Sequence, residues 1–173
     1  MNNKRHHSAV ISLPVFTGIL FLFDCQVVNA GAPSDACALL TAPQVSSELG
    51  AVVGPGEPLM ADKPMLCTWR EQGVPAGAAR NVSVSLISSK SFEFSKTPTP
   101  VMTVTPVSDV GDEAYFTEPH GMVTSLNVRK GATYFQVRTR SSSQWPKTGK
   151  TPESDAKDHA VDRALALEIL KKL

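Results

Sequence analysis

Apolar and polar side chains alternate most regularly in residues 122–140, on both sides of a Lys-Gly pair at residues 130–131. If that pair is a two-residue turn, one strand register places Leu126 opposite Phe135. The same register sorts both strands into a mainly apolar face and a mainly polar face, the pattern of a sheet covered on one side. The stretch therefore predicts a β-hairpin. Lys-Gly is a weaker turn signal than Asn-Gly, and a bulged turn is the alternative.

Three shorter runs predict further strands of the same sheet. Residues 65–71 and residues 82–86 alternate in polarity, and residues 114–117 form a strand that leads into the hairpin. Residues 89–100 combine two phenylalanines with repeated Thr-Pro pairs and are assigned to no element. Together these runs predict an antiparallel sheet of about five strands.

Helix-start signals occur on both sides of the strand region. Thr41 followed by Gln44 is a capping box, and Gly50 fits a left-handed C-cap, which predicts a helix of about two turns. Thr151 and Pro152 begin a second helix that runs to the C-terminus. The apolar positions of this second helix recur at helical spacing, at Ala166, Ile169, Leu170 and Leu173. The predicted fold is therefore α+β, with a short N-terminal helix and a C-terminal helix packed on one face of the sheet.

Residues 1–30 have the features of an export signal. A basic start is followed by an apolar run over residues 9–23 and by Val-Asn-Ala, which predicts cleavage between Ala30 and Gly31. Two alternatives are a membrane anchor, for which the apolar run is short, and a lipoprotein whose modified residue is Cys25. The signal interpretation predicts a periplasmic or secreted protein.

Residues 31–173 have the size of a single domain. The whole chain has 17 Lys and Arg side chains against 16 Asp and Glu, and removal of the signal leaves the two signs equal. No second apolar run is long enough to span a bilayer. The charge balance and the export signal together argue against nucleic acid as a partner.

The two cysteines that remain after signal removal, Cys37 and Cys67, are predicted to form a disulfide. An exported chain matures in an oxidising compartment, where an even number of cysteines usually pairs. Two buried free thiols are the alternative. Trp69 shares a strand face with Cys67, and we expect its ring to pack in the core beside the bond.

Short motifs along the chain resemble a group of small exported bacterial proteins and lipoproteins of unknown function. The matching segments are D-x-C-x-L-L-T at residues 35–41, Val45 with Leu49-Gly50, C-T-W at residues 67–69, V-G-D-E-A-Y at residues 110–115 and the closing residues 165–173. The resemblance touches most of the mature chain as separate islands. It implies an α+β domain with a Cys37–Cys67 disulfide, and it implies no reaction.

Catalytic and metal-binding patterns are weak in this sequence. His120 and His159 are the histidines of the mature chain, and no serine lies in a Gly-x-Ser-x-Gly elbow. The acidic cluster at residues 109–113 lacks the spacing of a calcium loop and is expected to be a turn around a glycine of positive φ. We therefore expect no catalytic residue, no metal and no cofactor.

The most informative polar stretch lies between Glu118 and Glu153, which contains no acid and six basic side chains. Alternation puts an aromatic ring and two arginines of this stretch on the polar strand face, where they could bind an anion. The alternative is a solvated face balanced by acids elsewhere. The candidate ligand-binding residues are Tyr134, Arg138, Arg140, Trp145 and Lys147.

The function expected from these features is non-catalytic binding, or a structural role, in the bacterial envelope or outside the cell. The expected partner is an anionic envelope polymer, a lipid head group or an acidic envelope protein. The alternatives are a small secreted hydrolase and an inhibitor or subunit of an envelope protein complex.

Overall fold

The computed structural model describes residues 32–60, 65–119, 123–140 and 151–173, which form an α+β domain. The strands are β1 (Glu57–Pro58), β2 (Leu66–Arg70), β3 (Asn81–Leu86), β4 (Met102–Val107), β5 (Glu113–Pro119), β6 (Ser125–Lys130) and β7 (Thr133–Arg140). The helices are α1 (Ala42–Leu49), α2 (Ser89–Ser95) and α3 (Pro152–Leu170), and a 3-10 turn at Ala36–Ala38 precedes α1. The strands make one antiparallel sheet in the order β1-β2-β3-β7-β6-β5-β4, so the last strand in the sequence lies at its centre.

Two strands, β1 and β4, were not predicted, and the expected count of about five strands is therefore wrong. β1 has only two residues, too few to show an alternating pattern. β4 is an edge strand whose side chains are exposed or half-buried along its whole length, so burial does not impose an apolar face on it. It also contains Pro106, which an edge strand tolerates because its outer side needs no ladder hydrogen bond.

The hairpin of β6 and β7 has the predicted faces but not the predicted turn. Leu126 pairs with Val137 instead of Phe135, and the turn residues are Gly131 and Ala132. The turn thus lies one residue further along the chain, which displaces each pairing by two positions and keeps every side chain on its predicted face. Gly131 has φ +55°, as the first central residue of a type II′ turn requires.

Both α1 and α3 begin where the sequence predicts, and they cover one face of the sheet. The Gln44 N–H donates to Thr41 Oγ1 (3.4 Å), the Thr41 N–H donates to Gln44 Oε1 (2.9 Å), and Gly50 follows α1 with φ +66°. Thr151 and Ser154 exchange the same pair of bonds at the start of α3. Because α3 contacts α1, β6 and β7, the predicted placement of both helices on one face is confirmed.

Burial along α3 agrees with the predicted apolar positions in part. Ala166 and Ile169 are fully buried, whereas Leu170 is half-buried and Leu173 is exposed past the helix end. Among the residues that the structure describes, no helix is both long enough and apolar enough to cross a membrane.

The predicted disulfide is present between Cys37 and Cys67 and ties the 3-10 turn before α1 to strand β2. Cys67 and Trp69 are buried on the same side of β2, together with Val84 and Val137 from the next two strands of the core. We call this side the helix-covered face. The apolar core lies between it and the two helices α1 and α3.

Helix α2 occupies the segment to which no element was assigned, and it packs on the opposite face. Ser88 caps it, because its Oγ accepts a bond from the Ser91 N–H (3.0 Å). The Phe92 ring is fully buried, with its centroid 5.0 Å from that of Tyr115 and 5.4 Å from that of Tyr134. α2 therefore covers the end of this face that carries the two tyrosines.

Candidate functional site

The sheet face opposite α1 and α3, which we call the polar face, carries hydroxyl, amide and guanidinium groups. Directly paired residues of neighbouring strands point to the same face, so their side chains stand side by side. One row crosses four strands through Thr68, Ser83, Arg138 and Ser125. The Thr68 and Ser83 hydroxyl oxygens are 3.0 Å apart, and Arg138 bonds to Ser125, so side-chain hydrogen bonds join the row in two pairs.

A second set of bonds anchors the polar face on β5 and β6. Gln136 Nε2 donates to Asn127 Oδ1 (3.0 Å), and Asn127 Nδ2 donates to Thr117 Oγ1 (3.2 Å). Asn127 and Thr117 are buried, whereas Gln136 is half-buried. The buried Asn127 amide thus links the side chains of β5, β6 and β7 on this face. The accessible hydrogen-bonding groups of the face lie on β7, β3 and β2.

Arg138 is exposed at the centre of the polar face. Its Nε donates to Ser125 Oγ on β6 at 2.9 Å. Ser125 is itself buried, so the near edge of the guanidinium group is fixed to a rigid strand. Because Nε makes the bond to Ser125, the two Nη groups of Arg138 remain able to donate hydrogen bonds to a ligand.

Arg140 is half-buried two residues further along β7, and its guanidinium group is fixed on the other side. Its Nη2 donates to the Ala79 carbonyl oxygen. When the Asn81 amide is oriented with its oxygen toward Arg140, Asn81 Oδ1 accepts hydrogen bonds from Arg140 Nη2 (3.1 Å) and Arg140 Nε (3.2 Å). Arg140 is therefore drawn toward β3, whereas Arg138 is drawn toward β6.

Two basic side chains of the acid-free stretch between Glu118 and Glu153 form ion pairs with acids from elsewhere in the chain. Arg129 Nε lies 3.4 Å from Glu113, and Lys130 Nζ lies 3.0 Å from Asp112. The Gly131 N–H and the Lys130 ammonium, which bond to Asp112, hold the pKa of that carboxyl below its usual value. Two of the six basic side chains are thus paired at the turn end of the hairpin.

Arg138 and Arg140 make no ion pair within residues 32–60, 65–119, 123–140 and 151–173. They differ in this respect from Arg129 and Lys130 on the same hairpin. A guanidinium group without a carboxylate partner keeps its full attraction for an external anion.

Tyr134 lies on the polar face as its strand position requires, but its ring is largely used in packing. The ring is half-buried and tilted at 57° against Phe92. Its structural role is to seat α2, which limits the ring surface left for a ligand. Trp145 and Lys147, the other two predicted binding residues, lie outside the described residues, as do the predicted signal, Cys25 and the cleavage position.

Arg70 belongs to the same surface and was missed in the sequence. It pairs with Asn81 on β3, which pairs in turn with Arg140 on β7, so all three residues share the polar face. Arg70 is exposed and makes no ion pair in the described part of the chain. The alternation of residues 65–71 already contained the signal, because it puts Arg70 opposite the buried Trp69.

His159, one of the two histidines that a hydrolytic site could use, is engaged otherwise, and His120 lies outside the described residues. The His159 ring stacks on Phe116 at 3.9 Å, and its Nε2 lies 3.7 Å from Glu118 Oε1. Its Nε2 has no hydrogen-bond partner in the described part of the chain. Among the described residues, no group of three or more His, Cys, Asp or Glu side chains could hold a metal ion.

Comparisons with protein-family models, with curated proteins and with solved structures found no match to this chain. The resemblance to small exported bacterial proteins therefore stays a prediction. The features that bear on function are the composition and geometry of the polar face.

Proposed function

We propose that this protein is an exported, non-catalytic binding protein whose polar face takes up an anionic component of the bacterial envelope. The observation that carries this proposal is the pair Arg138 and Arg140. Both stand on one strand face, and neither has a carboxylate partner among the described residues. Two positive charges left without acids on an ordered surface favour a negatively charged ligand.

The fixed position of the two guanidinium groups supports binding further. Side-chain ordering usually opposes association, because each long side chain loses rotamer freedom on contact. Here Ser125 already holds Arg138, and Ala79 and Asn81 already hold Arg140. Much of that ordering therefore precedes the ligand, and the planar fork of each arginine is prepared for carboxylate or phosphate oxygens.

The test compares two double variants of the same hairpin. Arg138→Ala/Arg140→Ala removes the two unpaired charges, and Arg129→Ala/Lys130→Ala removes two charges that are paired to acids. Both variants lose the same formal charge. Retention on heparin resin and co-sedimentation with lipopolysaccharide and with anionic vesicles are measured across a salt series.

We expect the first variant to elute at clearly lower salt than the wild type, and the control variant to elute near it. Binding should weaken as the screening length falls below about 10 Å, since the contacts are exposed. Equal retention of all three proteins would contradict the proposal. The absence of any retention of the wild type at low salt would contradict it too, and would leave a solvated basic face.

Export is the second part of the proposal, and two observations are compatible with it. The Cys37–Cys67 disulfide is typical of oxidising compartments. The described residues include no membrane-spanning helix. N-terminal sequencing of protein from its native compartment should give Gly31 as the first residue. A lipid-modified Cys25 at the N-terminus would mean a lipoprotein, and an intact residue 1 would contradict export by signal cleavage.

A further inference from the structure

We infer that the ligand of the polar face is an acidic polysaccharide that lies across the strands, and that Arg70 binds it together with Arg138 and Arg140. This inference rests on the proposed function, because it names the chemical class of the anion. It also adds a binding residue from β2 to the two on β7.

The hydrogen bonds of Arg138 and Arg140 hold their two positive charges apart. Arg140 is bonded to Ala79 and Asn81 on the β3 side of β7, and Arg138 is bonded to Ser125 on β6. β3 and β6 flank β7, so they lie about 10 Å apart, and the two arginines are offset by a further 7 Å or so along the strand. The two guanidinium groups are thus held on opposite sides of β7. A ligand that carries several negative groups at intervals fits this arrangement better than a single carboxylate or phosphate.

Arg70 extends the same line of charge toward the edge of the sheet. It lies in one row with Asn81 and Arg140, two strands from the latter, which is again about 10 Å between backbones. The two acids near it leave it unpaired. Glu71, the next residue, is bound by Arg80. Glu57 pairs with Thr68 on β2 and so shares the polar face, but it makes no ion pair with Arg70. Three separated positive groups thus run from β2 across β3 and β7 toward β6.

The side chains between the charges suit a sugar more than a protein or a lipid. Thr68, Ser83, Ser85 and Gln136 are half-buried hydroxyl and amide groups in the strands that the line of charge crosses, and they can bond to sugar hydroxyls. Among the described residues, none of the exposed large apolar side chains belongs to β2, β3, β6 or β7. A protein interface or a lipid surface would use such apolar anchors at its centre. A polysaccharide with one carboxylate per disaccharide spaces its charges by a distance comparable with that between the arginines.

The experiment measures binding by isothermal titration to three probes: hyaluronan oligosaccharides of increasing length, inorganic tripolyphosphate, and phosphatidylglycerol vesicles. The proteins are the wild type, Arg70→Ala, Arg138→Ala/Arg140→Ala and the control Arg163→Ala. Arg163 is a half-buried arginine of α3 on the other side of the sheet, 3.9 Å from Asp109. Circular dichroism of each variant checks that the fold is kept.

We expect the affinity of the wild type to rise with oligosaccharide length until the chain spans all three arginines. Arg70→Ala should lower the affinity for long oligosaccharides by about threefold to tenfold, the range for a charge-assisted bond at an exposed site. It should leave the affinity for the shortest oligosaccharides unchanged, because those reach only β7. Arg163→Ala should have no effect on any probe.

Two negative results are distinguishable. If tripolyphosphate or vesicles bind more tightly than the oligosaccharides, the inferred ligand class is wrong. If Arg70→Ala behaves as the wild type on long chains, the inferred role of Arg70 is wrong. In both cases anion binding by Arg138 and Arg140 stands. If none of the three anionic probes binds the wild type at low salt, the proposed function itself fails.

Discussion

Glu71 accepts three hydrogen bonds from a single residue, Arg80. Oε2 receives the Arg80 main-chain N–H (3.1 Å) and Nε (2.9 Å), and Oε1 receives Nη2 (2.6 Å). The side-chain bond from Arg80 is the largest cause that lowers the pKa of Glu71 from 4.5 to about 2. The pair fixes the connection between β2 and β3, since the two residues lie on either side of it.

The first prediction follows from the direction of that pKa change. The folded pKa lies below the unfolded one, so the stabilisation is complete above about pH 4.5 and is lost as the pH falls toward 2. A pKa moved from 4.5 to about 2 corresponds to at most about 3 kcal/mol. Glu71→Gln should therefore unfold at lower urea than the wild type near pH 7, and the difference should shrink near pH 3. Asp109→Asn, which removes a carboxylate 3.9 Å from Arg163, is the control and should leave the urea midpoint at pH 7 close to that of the wild type.

A second prediction concerns the disulfide between Cys37 and Cys67. The bond closes a loop with a sequence separation of 30 residues, and in the chain-entropy model this stabilises the fold by about 3–4 kcal/mol. The Cys37→Ala/Cys67→Ala variant should show a correspondingly lower midpoint in urea. The wild type with reductant should approach the variant. Identical midpoints for oxidised and reduced wild type would show that α1 and β2 need no covalent link.

The two phenylalanines of α2 give the third prediction as a matched pair. Phe92 is fully buried between two tyrosines, whereas the Phe94 side chain is 82% exposed. Phe92→Ala should cost about 3 kcal/mol, the lower end for a buried aromatic ring, and Phe94→Ala should be nearly neutral. Urea unfolding measures both.

Tyr115 supplies an independent readout of the same substitution. Burial is the main cause that raises the pKa of Tyr115 to about 12, and its hydroxyl donates to the Phe92 carbonyl oxygen. Loss of the Phe92 ring should let water reach the phenol and lower that pKa in an ultraviolet titration. An unchanged titration with Phe92→Ala would mean that α2 does not shield Tyr115.

The fourth prediction uses two glycines with the same backbone conformation. Gly111 has φ +65° and Gly73 has φ +78°. A Cβ at Gly111 would lie 2.5 Å from the Arg129 carbonyl oxygen, whereas a Cβ at Gly73 would meet nothing within 4 Å. Gly73→Ala should cost about 1 kcal/mol of backbone strain, and Gly111→Ala at least about 1 kcal/mol more. Equal midpoints in urea would contradict a close approach of this turn to β6.

The elements that could be predicted from the sequence are those whose signals are local. Thr41 with Gln44 and Thr151 with Pro152 mark helix starts by side-chain chemistry within one turn. Strand alternation assigned the side chains of β6 and β7 to their correct faces, except that of Lys130, which was placed in the turn because the turn was misplaced by one residue. Such patterns need no knowledge of what packs above them.

Other features depend on partners that the sequence does not place. α2 is stabilised by Phe92 between two tyrosines from distant strands, and β4 has no covered face to give it a pattern. Two positions that α3 turns inward, Asp158 and Asp162, are buried acids, so its first half lacks the apolar spacing that marked the second half.

The candidate site shows the same division. Arg138 and Arg140 could be placed on one face because they are two residues apart in one strand. The pairing of Arg129 with Glu113 could not be foreseen, because it depends on the register between β5 and β6. Alternation could place Arg70 on the side of β2 opposite Trp69, but its position in one row with Arg140 depends on the order of strands β2, β3 and β7.

The central position of β7 in the sheet determines when the protein can complete its fold. β7 joins β3 on one side to β6 on the other, so before Thr133–Arg140 arrives the chain has only two unconnected half-sheets with open edges. Asn81 also pairs with Arg140, which is far from it in the sequence. Folding is slower when paired strands are distant in the sequence, because a long loop must close before they can meet. In a chain that is exported unfolded, the N-terminal residues emerge first and Thr133–Arg140 emerges late. This connectivity defers closure of the sheet until nearly the whole chain has emerged, and the timing of folding is thus set by the order of the strands.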